Sequence, residues 1–297
     1  MRNLIVVTIL SVLFAAPLCA QENAAGSQLE SYCYGKPLTK GTEAGFTSLR
    51  AVVFRPSADH QAPSCSAVVV FHGGGWSIGS EEWAYGVARR FAEKGMVGIA
   101  VNYRLSDRKT ATPVDAMADA RAAIRWTRMN ASSLDISPDR IAVYGWSAGA
   151  HLAVSAAIFS GLPPNEGLSC VPNALILKSP ALDLVSDEWF CTLLGDSLAA
   201  ADYSPVEHVR SGLPPTLILA GETDTVTPVD GVRRFHELML ADKNQCELVV
   251  YEGVGHLFTP GGEPDDGYSN PAPEVQAAAW REVDEFIESL GFLGLQR

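Results

Sequence analysis

Apolar positions fall into two alternating rhythms along this chain. Residues 67–71, 96–101, 140–144, 174–177, 215–220 and 248–251 carry apolar runs of strand length. Such runs suit strands buried on both faces of a sheet. Between them, apolar residues recur every three or four positions. Residues 83–93 turn Val87, Phe91 and Ala92 inward, and residues 113–129 do the same with Val114, Met117, Ala120, Ala123, Ile124 and Trp126. Helices also follow at 232–240 and 273–290, the last with Val275, Ala278, Val283, Phe286 and Ile287 near one side. Two earlier segments, 29–34 and 49–55, read as strands, and residues 21–28 as a frayed leader. This order predicts the α/β class, with a mostly parallel sheet and helices on both faces. No repeat or Pro/Gly/Ser linker divides residues 21–297, which read as one domain. Two long connections, 182–213 and 258–270, leave strands at their carboxyl ends. Ligands bind at those ends in open sheets, so either connection can border a cleft or remain a solvated loop.

Composition narrows the partners. The chain has 297 residues, 47% hydrophobic and 19% charged, and its net charge is -12. An acidic surface disfavours nucleic acid and anionic membranes. Residues 1–20 have the form of a signal peptide: Arg2, an apolar stretch from Leu4 to Ala16 too short for a bilayer, and Ala20 as the cleavage residue. The expected mature protein is secreted or periplasmic, without integral membrane association. It keeps Cys33, Cys65, Cys170, Cys191 and Cys246, an odd set that leaves at least one thiol unpaired. Their spacing does not resemble a zinc site, and no metal or organic cofactor is expected.

The chemistry centres on Gly145-Trp146-Ser147-Ala148-Gly149, which follows β-favouring residues and precedes an apolar run at helical spacing. A serine at such a strand-to-helix elbow stands clear of the sheet with a helix N-terminus behind it. Activating it requires a base and an orienter for that base. His256 follows the strand ending at Tyr251, where a loop can carry it to Ser147. His60, His72, His151, His208 and His236 lie in a turn, in the glycine loop or in helical segments. Asp224 lies beyond the strand ending at Ala220, with Glu222, Asp230 and Asp183 as rivals. The glycines of His72-Gly73-Gly74-Gly75 let backbone N–H groups converge on an oxyanion, and Ala148 adds another such group. A plain turn also fits this run, whereas the spacing of a dinucleotide-binding loop is absent. Trp76, Trp146, Trp189 and Phe258 are candidates for the substrate pocket, although large aromatics also fill cores. Arg104 with Asp115 and Asp119 reads as a surface pairing.

These residues resemble the α/β-hydrolase superfamily. The closer likeness is to the esterase branch with an HGGGW loop and a GxSAG elbow, which includes hormone-sensitive-lipase-like enzymes and compact bacterial acetyl and feruloyl esterases. The resemblance runs from about Ala67 to Phe258. It implies Ser147 as nucleophile, Asp224 as orienter and His256 as base, with Gly74, Gly75 and Ala148 donating to the oxyanion. Two departures point to the compact group: the segment before His72 is too short for a large N-terminal cap, and Trp146 stands where an acidic residue is usual. The implied activity is hydrolysis of short acyl esters, small or carbohydrate-linked. An amidase of the same fold and an inactive binding module are the rivals.

Overall fold

The structure, a computed structural model, describes residues 19–22, 28–35, 48–57, 65–161, 167–265 and 270–293. Among the described residues, nine strands form a single sheet: β1 (Cys19–Glu22), β2 (Gln28–Gly35), β3 (Leu49–Phe54), β4 (Cys65–Phe71), β5 (Val97–Val101), β6 (Ile136–Trp146), β7 (Ala174–Lys178), β8 (Thr216–Gly221) and β9 (Cys246–Tyr251). Their order is β1-β2-β3-β5-β4-β6-β7-β8-β9. The pairs formed by β1, β2, β3 and β5 in sequence across the sheet are antiparallel. Every pairing from β5 and β4 through to β9 is parallel. β4 and β7 are buried at every position, as their unbroken apolar runs require.

Among the described residues, six α-helices connect and cover the sheet: α1 (Tyr85–Glu93), α2 (Pro113–Met129), α3 (Ala148–Ile158), α4 (Glu188–Leu194), α5 (Val229–Ala241) and α6 (Pro273–Ser289). α2 shows how sequence sets a boundary. Pro113 pre-forms its first turn, and Thr112 caps it while the Asp115 carboxylate accepts from the Thr112 backbone N–H at 2.9 Å. Alternation along the strands sorts the core into two layers. Val69, Phe71 and Val143 pack with α2, α3 and α5, whereas Val68, Val70 and Tyr144 pack with α1 and α6. The helices thus lie on both faces, as the rhythm of the sequence predicts.

Several details differ from the sequence reading. β1 includes Gln21 and Glu22, which were expected to fray, and it runs across the expected cleavage point after Ala20. Main-chain pairing with β2 accounts for it, which an apolar pattern does not register. Residues 1–18 of the expected signal peptide lie outside the described residues. α1 buries Ala84, Ala88, Phe91 and Ala92 around its start and along one side, leaving Val87 only half-buried. Asp119 is buried and Arg104 half-buried rather than on the surface, with Arg104 reaching Asp119 at 2.7 Å and Asp115 at 2.9 Å. Cys33, Cys170, Cys191 and Cys246 are free thiols. Among the described residues, no helix is long and apolar enough to cross a membrane.

Candidate active site

The parallel strands end together, and the loops beyond them bring distant residues into one cleft. Ser147 occupies the single position between β6 and α3, with φ 53° and ψ -125°, a strained backbone for a residue bearing a side chain. Its N–H donates to the Lys178 carbonyl at 3.0 Å on the neighbouring strand. The elbow closes so tightly that a Cβ on Gly149 would lie 2.3 Å from the Phe71 carbonyl oxygen.

His256 follows β9 and is 2% exposed. Its Nε2 is 3.0 Å from Ser147 Oγ, and its Nδ1 is 2.9 Å from Asp224 Oδ2. Asp224 lies beyond β8, where its Oδ1 accepts the backbone N–H groups of Val226 and Thr227 at 3.0 and 2.7 Å. The Thr227 hydroxyl donates to Asp224 Oδ2 at 2.8 Å. With the carboxylate held in this way, imidazole Nδ1 carries the proton and Nε2 faces the serine as an acceptor. The rivals stand apart: Glu222 and Asp230 are exposed, and Asp183 pairs with Arg234 at 2.9 Å. His208 Nε2 donates to the Ala201 carbonyl, and His236 lies against the Cys246 carbonyl. His60 lies outside the described residues.

The glycine loop after β4 forms one wall. Gly74 has φ 110°, and a Cβ there would meet the Ile78 carbonyl oxygen at 2.2 Å. Among the described residues, neither the Gly74 nor the Gly75 N–H donates to a backbone carbonyl. Ala148 is the first residue of α3, so its N–H has no acceptor within that helix. N–H groups without a backbone acceptor are what a developing oxyanion requires. Tyr103 supports the loop from below, its hydroxyl donating to the His72 carbonyl at 2.9 Å. His72 is buried, which pushes its imidazole down to about 4. His151 is likewise buried and pushed down to about 4, with Trp76 Nε1 donating to its Nδ1 at 3.1 Å.

The cleft has a volume of about 790 Å³ and is lined by Gly74, Gly75, Trp76, Trp146, Ser147, Trp189 and His256, among others. Trp189 comes from the 182–213 connection and is tied down by its indole N–H, which donates to the Gly75 carbonyl at 2.9 Å. Phe258 is a correction to the expected pocket. It is fully buried in the α1 and α6 layer, its ring 5.1 Å from that of Tyr251, while its neighbour Leu257 lines the cleft. Leu257 and Phe258 both have positive φ, and the resulting bend swings Phe258 inward. None of the described residues of the 258–270 connection lines the cleft, but Asp265 reaches the site. That carboxylate accepts from the His256 backbone N–H at 2.5 Å and from the Thr225 N–H and hydroxyl at 2.8 and 2.9 Å.

Sequence reasoning missed Thr227, Asp265, Lys178, Gln276 and Trp280. Thr227 had a readable signal, three residues past Asp224 where a side chain can return to cap a turn. Among the described residues, no group of three or more His, Cys, Asp or Glu side chains converges as a metal site requires.

Comparison with known proteins finds similarity to esterases. The BD-FAE family model matches residues 53–166, and the Dienelactone hydrolase family model matches residues 201–291. An acetylxylan esterase of Xylanibacter ruminicola is 31% identical over 209 residues, 66% of this chain and 42% of that protein. Carboxylesterase NlhH of Mycobacterium tuberculosis is 29% identical over 260 residues, 79% of this chain and 76% of that protein. The chain spans about half the length of several curated relatives, from 42% to 52% of six of them. Among solved structures, Thermogutta terrifontis esterase 2 phosphoramylated by tabun is 33% identical with a TM-score of 0.75, covering 90% of this chain and 97% of that one.

Proposed function

Because the chain belongs to the α/β-hydrolase superfamily, within its esterase branch, we propose that the protein is a serine carboxylic-ester hydrolase working through an acyl-enzyme. The observation that carries this reading is the unbroken hydrogen-bond chain from Asp224 through His256 to Ser147. His256 Nε2 takes the hydroxyl proton as Ser147 Oγ attacks the ester carbonyl carbon. Negative charge on the carbonyl oxygen falls among the N–H groups of Gly74, Gly75 and Ala148, each worth about 3 to 4 kcal/mol in the transition state. The tetrahedral species collapses, the carbon–oxygen bond to the alcohol breaks, and imidazolium returns its proton to the departing alkoxide. Water repeats the sequence against the acyl-serine and releases the acid.

Short acyl groups are the proposed preference. The acetylxylan esterase similarity supports an acetyl ester, on a small molecule or a carbohydrate, and Thermogutta terrifontis esterase 2 has been solved with propionate and with butyrate bound. The signal-like residues 1–20 support a secreted or periplasmic location. Ser147→Ala tests the activity: p-nitrophenyl acetate turnover should fall by about 10⁴-fold or more. Turnover within tenfold of wild type would remove the nucleophile assignment. Matched ester and amide substrates separate the amidase alternative, which a preference for the amide would favour.

A further inference from the structure

The cleft has an arm that the hydrolytic steps leave unused. It is the part of the lining that comes from the sheet and from α6, with Tyr144, Trp146 and Trp280 among its residues. At its wall, on the last residue of β7, stands Lys178. It is 7% exposed, and its Nζ donates to Gln276 Oε1 at 2.7 Å and lies 4.3 Å from the centroid of the Phe258 ring. An ammonium has three donors. Among the described residues, Gln276 is its one hydrogen-bond acceptor and no carboxylate pairs with it. Burial without a counter-ion pushes the ammonium down to about 7. Nothing in the serine, histidine and aspartate relay touches its side chain, although its carbonyl accepts the Ser147 N–H.

A buried lysine that only filled space is better replaced by an apolar residue, because an unpaired buried cation is costly. Here the cation borders a cavity, has donors to spare and faces flat aromatic walls. Tyr144 and Trp280 stack with ring centroids 5.6 Å apart and planes at 17°. Among the described residues, the other charged side chain lining the cleft, Asp187, is occupied at the N-terminus of α4, where it accepts from the Phe190 N–H at 2.8 Å. We propose that this arm is a carboxylate subsite: Lys178 and Gln276 bind a carboxylate carried on a flat ring of the substrate, and the apolar aromatic walls enclose that ring. A monoanion matches the single cation, and the Gln276 amide N–H₂ group supplies a second donor for its other oxygen. The favoured esters are then those whose acyl or alcohol part bears a free aromatic carboxylate. The substrate class rests on the esterase reading; the subsite itself does not.

Benzoate and its neutral isostere benzamide are the probes. Their dissociation constants are measured by quenching of intrinsic tryptophan fluorescence, which needs no turnover, and as inhibition constants against p-nitrophenyl acetate. Wild type should bind benzoate at least tenfold more tightly than benzamide. Lys178→Met should erase that preference and Lys178→Arg should keep most of it, with thermal unfolding of each variant reported alongside. Equal affinity for the two probes in wild type, or a preference that survives in folded Lys178→Met, overturns the subsite. If Lys178→Met does not fold, the wild-type ratio and the Lys178→Arg ratio decide. Loss of p-nitrophenyl acetate turnover in wild type with benzoate preference intact would sink the esterase reading and leave the subsite standing.

Discussion

Asp265 holds His256 by its backbone rather than by its imidazole. One carboxylate oxygen accepts the His256 N–H at 2.5 Å, and the other accepts both donors of Thr225, the residue after Asp224. A single side chain thereby ties the loop that carries the base to the loop that carries its orienter. The positive φ values at Leu257 and Phe258 lie directly beyond this tie. Asp265 therefore acts as a positioning residue.

Removing that tie should loosen the imidazole without touching the reacting atoms. A displacement near 1 Å costs about 10²-fold in rate. Asp265→Ala should lower kcat for p-nitrophenyl acetate by roughly 10- to 100-fold with KM little changed, and should slow serine labelling by a fluorophosphonate in parallel. Wild-type kcat in a folded variant would contradict the positioning role.

The glycine loop makes a sharper demand. Gly74 combines φ 110° with a Cβ position 2.2 Å from the Ile78 carbonyl oxygen, so alanine there must displace the loop. Gly74→Ala should lower kcat by roughly 10²- to 10³-fold, the loss of about one oxyanion donor. The serine should remain present and the fold intact by circular dichroism. A kcat within threefold of wild type would remove Gly74 from the oxyanion site.

Acid should destabilise the fold through two buried histidines. Burial holds His72 and His151 down to about 4, whereas in the unfolded chain each returns to about 6.5. Between those values the unfolded chain binds protons that the folded chain refuses, so unfolding free energy falls as pH drops from 6.5 to 4. The loss is up to about 3 kcal/mol per histidine, and neither contributes further pH dependence above that window. In urea unfolding at pH 7, 5.5 and 4.5, His151→Gln should show a shallower pH dependence than wild type by up to one proton. Parallel curves would contradict the neutral, buried assignment.

Phe190 links the α4 connection to the core. It is fully buried, with its ring 5.0 Å from Trp76 and 5.4 Å from His151. Phe190→Ala should cost about 3 to 5 kcal/mol of stability by chemical denaturation. A loss below 1 kcal/mol would mean that α4 is not anchored through this side chain.

What the sequence made legible follows from which forces leave a local mark. Parallel buried strands such as β4 need continuous apolar runs, and helices such as α2 announce themselves through Pro113 and a 3.6-residue period. Ser147, Asp224 and His256 could be singled out because each stands just past a strand in a recognisable local context. Asp265 was not legible because its role depends on a loop folding back from the far side of His256. Lys178 ends an apolar run and Trp280 sits on a helix whose stripe was counted from other residues, so their convergence with Gln276 exists only once α6 has packed on the sheet. Phe258 was misassigned because its direction is set by two positive φ values that no residue type there foretells. β1 was missed because its pairing is made by the main chain.

The central claim is that Ser147 is the activated nucleophile, and stoichiometric reaction with diethyl p-nitrophenyl phosphate tests it most directly. The account predicts about one p-nitrophenol released per chain, parallel loss of ester hydrolysis, and a single phosphoryl adduct mapped by peptide mass spectrometry to Ser147. Full activity with no adduct, or inactivation through an adduct on another residue, would contradict it.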